Sequence, residues 1–186
     1  MSVAPLYDGE WSLHGDITAN GKVIEKDAFI VTDSGTTIVF GPLASVQTLF
    51  DAAGIQSVVV PNTTADAPTT LTGYYSCSNP PKLGFGFPSA SDTAAARANY
   101  SSPVSKFSTI FNILESQLAE SKNGDNCTAV IHGTDQFDVW LVGQGEFPLS
   151  NFGRRLMCGI AFFQGRYIDH NVEEQTMGFA NLIGVY

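Results

Sequence analysis

Residues 28–42 read AFIVTDSGTTIVFGP. The apolar run from Ala28 to Val31 carries the chain through Thr32 to an acid, Asp33. A hydroxyl-rich step follows, Ser34-Gly35-Thr36-Thr37. A second apolar run, Ile38 to Phe40, then ends at Gly41-Pro42. Two short, β-branched, nearly unbroken apolar runs read as strands buried on both faces. A carboxylate avoids such surroundings unless it is paired or working. One reading of Asp33 is an Asx-turn, in which the acid caps the loop through its own backbone. The neighbours favour a second reading. Ser34, Thr36 and Thr37 can hydrogen-bond a carboxylate, and Gly35 lets backbone approach it closely. Such a setting holds an acid rigidly and leaves one side of it open.

The flanking sequence supplies the frame. WSLHGDITANGKVIE (11–25) alternates polar and apolar residues around an Asn-Gly pair, a strong short-range hairpin signal. GPLASVQTLFDAAG (41–54) reads as a helix, with Pro42 at its first position and Gly54 as its stop. Leu43, Val46, Phe50 and Ala53 share one face of it. SVVVP (57–61) reads as a strand, and GYYSCSNPPKLGFGFPS (73–89) as strand, turn and strand. The small, polar stretch 89–105 reads as an exposed loop. KFSTIFNILESQLAE (106–120) fits a helix in part but is rich in strand formers. NCTAVIHG (126–133) and DVWLVG (138–143) read as strands, and residues 162–186 as a closing hairpin around DHNVEEQ. No linker divides the 186 residues, so we expect one mostly β domain with one or two short helices.

Composition narrows the function classes. Nine Lys and Arg stand against 18 Asp and Glu, for a net charge of −9. Such a surface repels nucleic acid and anionic membranes, so neither is an expected partner. It also suits work in acid, where many carboxylates are neutral. No apolar run reaches the ~20 residues of a membrane span. The start, MSVAPLYDGEW, lacks the basic and apolar regions of a signal peptide. Three N-x-[ST] sequons, at Asn62, Asn99 and Asn126, together with three cysteines, favour an oxidising compartment. His14, His132 and His170 are far apart in sequence, and no C-x-x-C pair occurs, so a metal site has little support. His14 and His132 read as surface strand residues, His170 as a solvated turn residue, and Trp140 and Tyr167 as packing residues.

At this point the chain resembles a known family. IVTDSGTTIVFGP (30–42) is similar to the second active-site segment of pepsin-like aspartic proteases, secreted fungal members included. There an apolar run enters Asp-[Thr/Ser]-Gly-Thr-[Thr/Ser], followed by Pro and a helix. The hairpin before it resembles the family too. So do YYSCSNPP and NCTAVIHG, whose counterparts hold the C-terminal-lobe disulfide, which implies a Cys77–Cys127 pair. VWLVG (139–143) is similar to the apolar-apolar-Gly strand that threads beside the active-site loop. The end of the chain resembles the family's closing hairpin, Gly-[Phe/Leu]-Ala.

The resemblance implies a single lobe of a two-lobed β fold, spanning 1–186, and an aspartic endopeptidase that needs no cofactor or metal. Two aspartates, one per lobe, share a proton; the charged one activates water and the protonated one polarises the scissile carbonyl. Asp33 is the C-terminal-lobe acid by position. Ser34 would reach toward the opposite loop, Gly35 would give close approach, and Thr36 and Thr37 would touch the carboxylate and the bound peptide. The substrate would be a peptide or protein, and the location extracellular or vacuolar. HGTDQFD (132–138) and FDAAG (50–54) do not repeat the motif, and 32 residues before Asp33 leave no room for another lobe. The chain therefore reads as half an enzyme, inactive alone, whose partner would be the missing N-terminal lobe. Two other readings are a non-catalytic binding or inhibitory module on the same lobe, and a homodimer in which each copy gives one Asp33.

Residues 145–160, GEFPLSNFGRRLMCGI, depart from the family. Without them Leu141-Val142-Gly143-Gln144 would join Ala161-Phe162-Phe163 smoothly. The 16 residues correspond to 48 nucleotides, in frame, and read either as a retained intron or as a surface loop. A rival alignment sets MCGIAFF (157–163) on the threading strand. It is disfavoured because it strands Trp140 and puts Cys158 in a core position.

Overall fold

The computed structural model describes residues 11–32, 37–61, 68–87, 109–135, 155–158, 160–174 and 176–183. The chain opens as the expected hairpin. β1 (Trp11–Ala19) runs antiparallel to β2 (Lys22–Thr32) around Asn20-Gly21. Both turn residues have positive φ, 50° and 76°, as the two-residue turn that matches strand twist requires. β3 (Val39–Pro42) leads directly into α1 (Leu43–Ala53). Pro42 caps this helix from one position before it rather than opening its first turn. Gly54 ends it in the left-handed conformation, and the Ile55 N–H donates back to the Phe50 carbonyl at 2.9 Å. Val46, Leu49 and Phe50 are buried, whereas Leu43 and Ala53 are only half-buried. The helix lies directly on the sheet: a Cβ on Gly73 would come within 2.7 Å of Phe50 and Ile55.

β4 (Gln56–Val60), β5 (Thr70–Ser76), β6 (Leu83–Phe87) and β7 (Thr109–Asn112) follow. From Thr109 on, the ambiguous stretch resolves as both structures in turn, β7 and then a one-turn helix, α2 (Glu115–Leu118). β8 (Ala119–Asn123), β9 (Asn126–Thr134), β10 (Arg155–Cys158), α3 (Ile160–Phe163), β11 (Arg166–Asn171) and β12 (Thr176–Asn181) complete the described chain. Ten strands form one sheet in the order β4-β5-β9-β3-β10-β2-β1-β6-β7, with β8 also on β9; β11 and β12 form the closing hairpin. The fold is mostly β, as one pepsin-like lobe is. Three short helices occur among the described residues, one more than expected. Asn62, Asn99, the stretch 89–105, Trp140 and the expected strand 138–143 lie outside the described residues.

The core is aromatic at one end. Phe85 and Phe162 meet edge to face at 4.9 Å, and Phe87 stacks on Phe179 at 4.9 Å, so the closing hairpin and α3 pack onto β6 and β7. At the opposite edge, Val58, Val59 and Val60 are about half exposed, because β4 pairs with β5 alone. The disulfide joins Cys77 to Cys127. Asp125 binds the same corner: its carboxylate accepts from the Ser76 hydroxyl at 2.6 Å and the Ser78 N–H at 2.8 Å.

Two carboxyls respond to pH in opposite senses. Asp16 is buried at the bulge of the β1–β2 hairpin, where its Oδ1 accepts the Asp27 N–H at 3.0 Å. Burial pushes its carboxyl above its ordinary value of 3.8, against the pull of that N–H. Its contribution to stability is therefore full below the unfolded value and lost as pH rises through the folded one. The Ser76 hydroxyl, with Ser78, holds the exposed Asp125 below 3.8, so its contribution is present above the unfolded value and lost as pH falls. Asp16→Asn is expected to stabilise the fold at neutral pH, and Asp125→Asn to destabilise it, with both differences closing in strong acid. Urea midpoints across a pH series measure this. A destabilising Asp16→Asn at neutral pH would contradict the assignment.

Candidate active site

Asp33, Ser34, Gly35 and Thr36 lie outside the described residues, but both flanks of their loop are defined. Thr32 ends β2, and Thr37 and Ile38 precede β3. β2 and β3 are not hydrogen-bonded to each other. β10 runs between them, parallel to β2, with Met157 opposite both Val31 and Phe40. The strands that flank segment 33–38 therefore stand two strand spacings apart, about 9.6 Å, with β10 between them. Six residues can span about 20 Å, more than that separation. Cys158 stands opposite Thr32, which places the exit of β10 next in line to Asp33.

The approach to the loop is tightly held. Thr32 is buried, and its hydroxyl donates to the Trp11 carbonyl at 2.9 Å, with the Met177 sulfur at 3.6 Å as a second acceptor. Three elements, β1, β2 and β12, thus converge on the residue before Asp33. Val39 is fully buried on the far side. Thr37 is exposed and Ile38 half-buried.

The histidines and packing residues differ in part from expectation. His14 is exposed and lies 3.1 Å from the Asp27 carboxylate. His132 is not a surface residue. It is half-buried on β9, with Nε2 2.8 Å from Glu120 and Nδ1 3.4 Å from the Thr72 hydroxyl. His170 belongs to β11 rather than to the turn, and its ring meets Trp11 edge-on at 4.7 Å. Burial lowers its pKa, partly offset by Asp169. Tyr167, expected as packing, is 60% exposed. Its neighbour Arg166 is the buried one.

Arg166 was not singled out by sequence. Its guanidinium donates to the carbonyls of Phe162 and Asn112 and lies over the Phe162 ring, 4.3 Å from its centre. A cation at the last carbonyls of a helix is favourable, and an aromatic face adds to it. Arg166 so joins α3, β7 and β11, and α3 begins two residues after β10 ends. The available signal was a lone cation in the otherwise uncharged AFFQGRYI (161–168).

The threading strand also needs correction. The strand found between β2 and β3 is Arg155–Cys158, the placement given by the rival alignment. VWLVG and residues 145–154 lie outside the described residues. The two segments are interchangeable in one respect. Were residues 145–160 absent, Gly143-Gln144 would precede Ala161-Phe162-Phe163 in the register that Gly159-Ile160 holds.

The chain is 28% identical over 173 residues to secreted aspartyl protease 1 of Malassezia globosa. The alignment covers 93% of this chain and 32% of that protein. The chain therefore spans about a third of the relative's length. No family model matches it.

Thr32→Val tests the hold on the loop. It keeps the shape of the side chain and leaves the Trp11 carbonyl without its donor. A loss of about 1–3 kcal/mol is expected by denaturant unfolding. A loss within experimental error would mean that solvent satisfies the Trp11 carbonyl in place of Thr32.

Proposed function

We propose that this chain is the C-terminal lobe of a pepsin-like aspartic endopeptidase and that Asp33 is one of its two catalytic carboxylates. The observation that carries the reading is that β10 runs between β2 and β3, whose connecting segment has the sequence Asp-Ser-Gly-Thr-Thr. The similarity to the Malassezia protein supports it. A second carboxylate, from a lobe outside this sequence, would share a proton with Asp33, since two close carboxylates cannot both ionise. The charged member would take a proton from water as it attacks the scissile carbonyl. The protonated member would hydrogen-bond that carbonyl oxygen as charge develops on it. Ser34 and Thr36 would orient Asp33, and Gly35 and Thr37 would lie along the bound peptide. Alone, the chain would hold half of this machinery. An extracellular site of action is supported by the disulfide and by the relative's description as secreted.

Combining the chain with the N-terminal part of the Malassezia protease is expected to restore peptide hydrolysis at acid pH. Asp33→Asn in that assembly should lower kcat by about 10²-fold to 10⁴-fold with the fold retained. Undiminished hydrolysis would remove Asp33 from the chemistry, as would a non-catalytic module that never gains activity.

We further propose that residues 145–160 derive from a retained intron. Deleting them brings Val139-Trp140-Leu141-Val142-Gly143 to the offset from Ala161 that β10 now holds. The shortened chain should fold at least as stably, by thermal unfolding, and transcript reads should include a form lacking the 48 nucleotides. Reads of the long form alone, or a shortened chain that does not fold, would establish residues 145–160 as a genuine part of the fold.

A further inference from the structure

The sequon Asn126-Cys127-Thr128 has a disulfide cysteine as its middle residue. Asn126 opens β9 just after the turn at Gly124, whose φ is 61°. Residues 121–126 are all exposed. A glycan on that nitrogen would project into solvent, so the finished fold tolerates it.

The same fold blocks its attachment. Asn126 stands opposite Ser76 on β5 and Asn123 on β8, so its backbone is held in ladders on both sides. Cys127 is 1% exposed and bonded to Cys77. The Thr128 hydroxyl, the group a glycosyltransferase must recognise, accepts from Ser121 at 3.0 Å. The Asp125 carbonyl accepts the Cys77 N–H at 2.8 Å, which locks the corner further. Transfer requires a sequon that can bend into the enzyme's site, and a strand paired on two sides cannot.

We propose that Asn126 is an N-glycosylation site that can be filled only before the Cys77–Cys127 disulfide closes, so that the two modifications compete in time. The Asn126 carboxamide nitrogen attacks the anomeric carbon of a lipid diphosphate-linked oligosaccharide. A C–N bond forms, the C–O bond to the diphosphate breaks with its electron pair, and the amide proton passes to the transferase base. Disulfide closure removes two electrons and two protons from the thiols and delivers them to an oxidised dithiol carrier, which is reduced. The proposal rests on the extracellular reading above.

The test translates the chain behind a cleavable secretion leader in microsomes, with Asn62→Gln and Asn99→Gln leaving one acceptor. The expected result is a glycosidase-sensitive upward shift in mass on the peptide holding Asn126, absent in Asn126→Gln. Adding dithiothreitol during translation, or substituting Cys77→Ala, should increase the shifted fraction. No shift under any of these conditions would overturn the site. A shifted fraction indifferent to both reductant and Cys77→Ala would overturn the order. The acceptor is read on the nascent chain, so a variant that later misfolds still reports. Because the leader is supplied, the result is separate from where the natural protein resides, which assay of the culture medium determines.

Discussion

Hydrogen bonding of β10 on both of its edges organises this chain. β2 and β3 are linked by only six residues and would ordinarily pair as a hairpin. With β10 between them, they do not pair with each other. Asp33 belongs to the segment that connects them. A hairpin loop with the same sequence would be a surface turn, and its acid would be an ordinary Asx residue. The separation of β2 from β3 gives each flank of that connection an edge of β10 as its partner. It also gives β3 a parallel partner in β9, and so sets the start of α1 at the other end of β3.

The rest of the core can be understood as support for that arrangement. Four residues are a short strand, and the pairing of β10 is fixed from outside itself. α3 follows it at once and buries Phe162 among Phe85, Phe87 and Phe179. Arg166 then ties the last turn of α3 to β7. Burying a guanidinium is unfavourable unless its donors are satisfied. Here two carbonyls and two aromatic faces meet it. The closing hairpin adds Met177 beside Thr32, so the same hydrophobic layer reaches from β7 to the residue before Asp33.

Features set by nearby residues were legible in the sequence. Asn20-Gly21 demands the turn it makes, and Pro42 and Gly54 bound α1 to within a residue. The proposed active-site segment stands out in the sequence because its hydroxyls and glycine are contiguous with the acid. Features set by distant pairing were not legible. Two segments carry an apolar-apolar-Gly pattern, Leu141-Val142-Gly143 and Met157-Cys158-Gly159, and nothing local distinguishes which is drawn between β2 and β3. Asp16 reads as one polar residue in an alternating strand, yet the bulge turns it inward. His132 meets Glu120 only because β8 folds back on β9. The apolar Val58–Val60 run failed in the opposite direction: composition suggests burial, but an edge strand has one neighbour.

The electrostatics bear on the proposed chemistry in a consistent way. A chain with net charge −9 repels itself more at neutral pH than in mild acid, because protonating carboxyls relieves that repulsion. Asp16 adds a local term of the same sign, because its buried carboxyl favours the neutral form. Asp125 opposes it, but it sits beside the disulfide, which holds the corner covalently whether or not that acid is charged. The acid-sensitive contact is thus placed where a pH-independent bond backs it, and the alkali-sensitive one where none does. A pair of carboxylates sharing a proton requires the same acidic range, so the pH that favours this fold is also the pH at which Asp33 could do its proposed work.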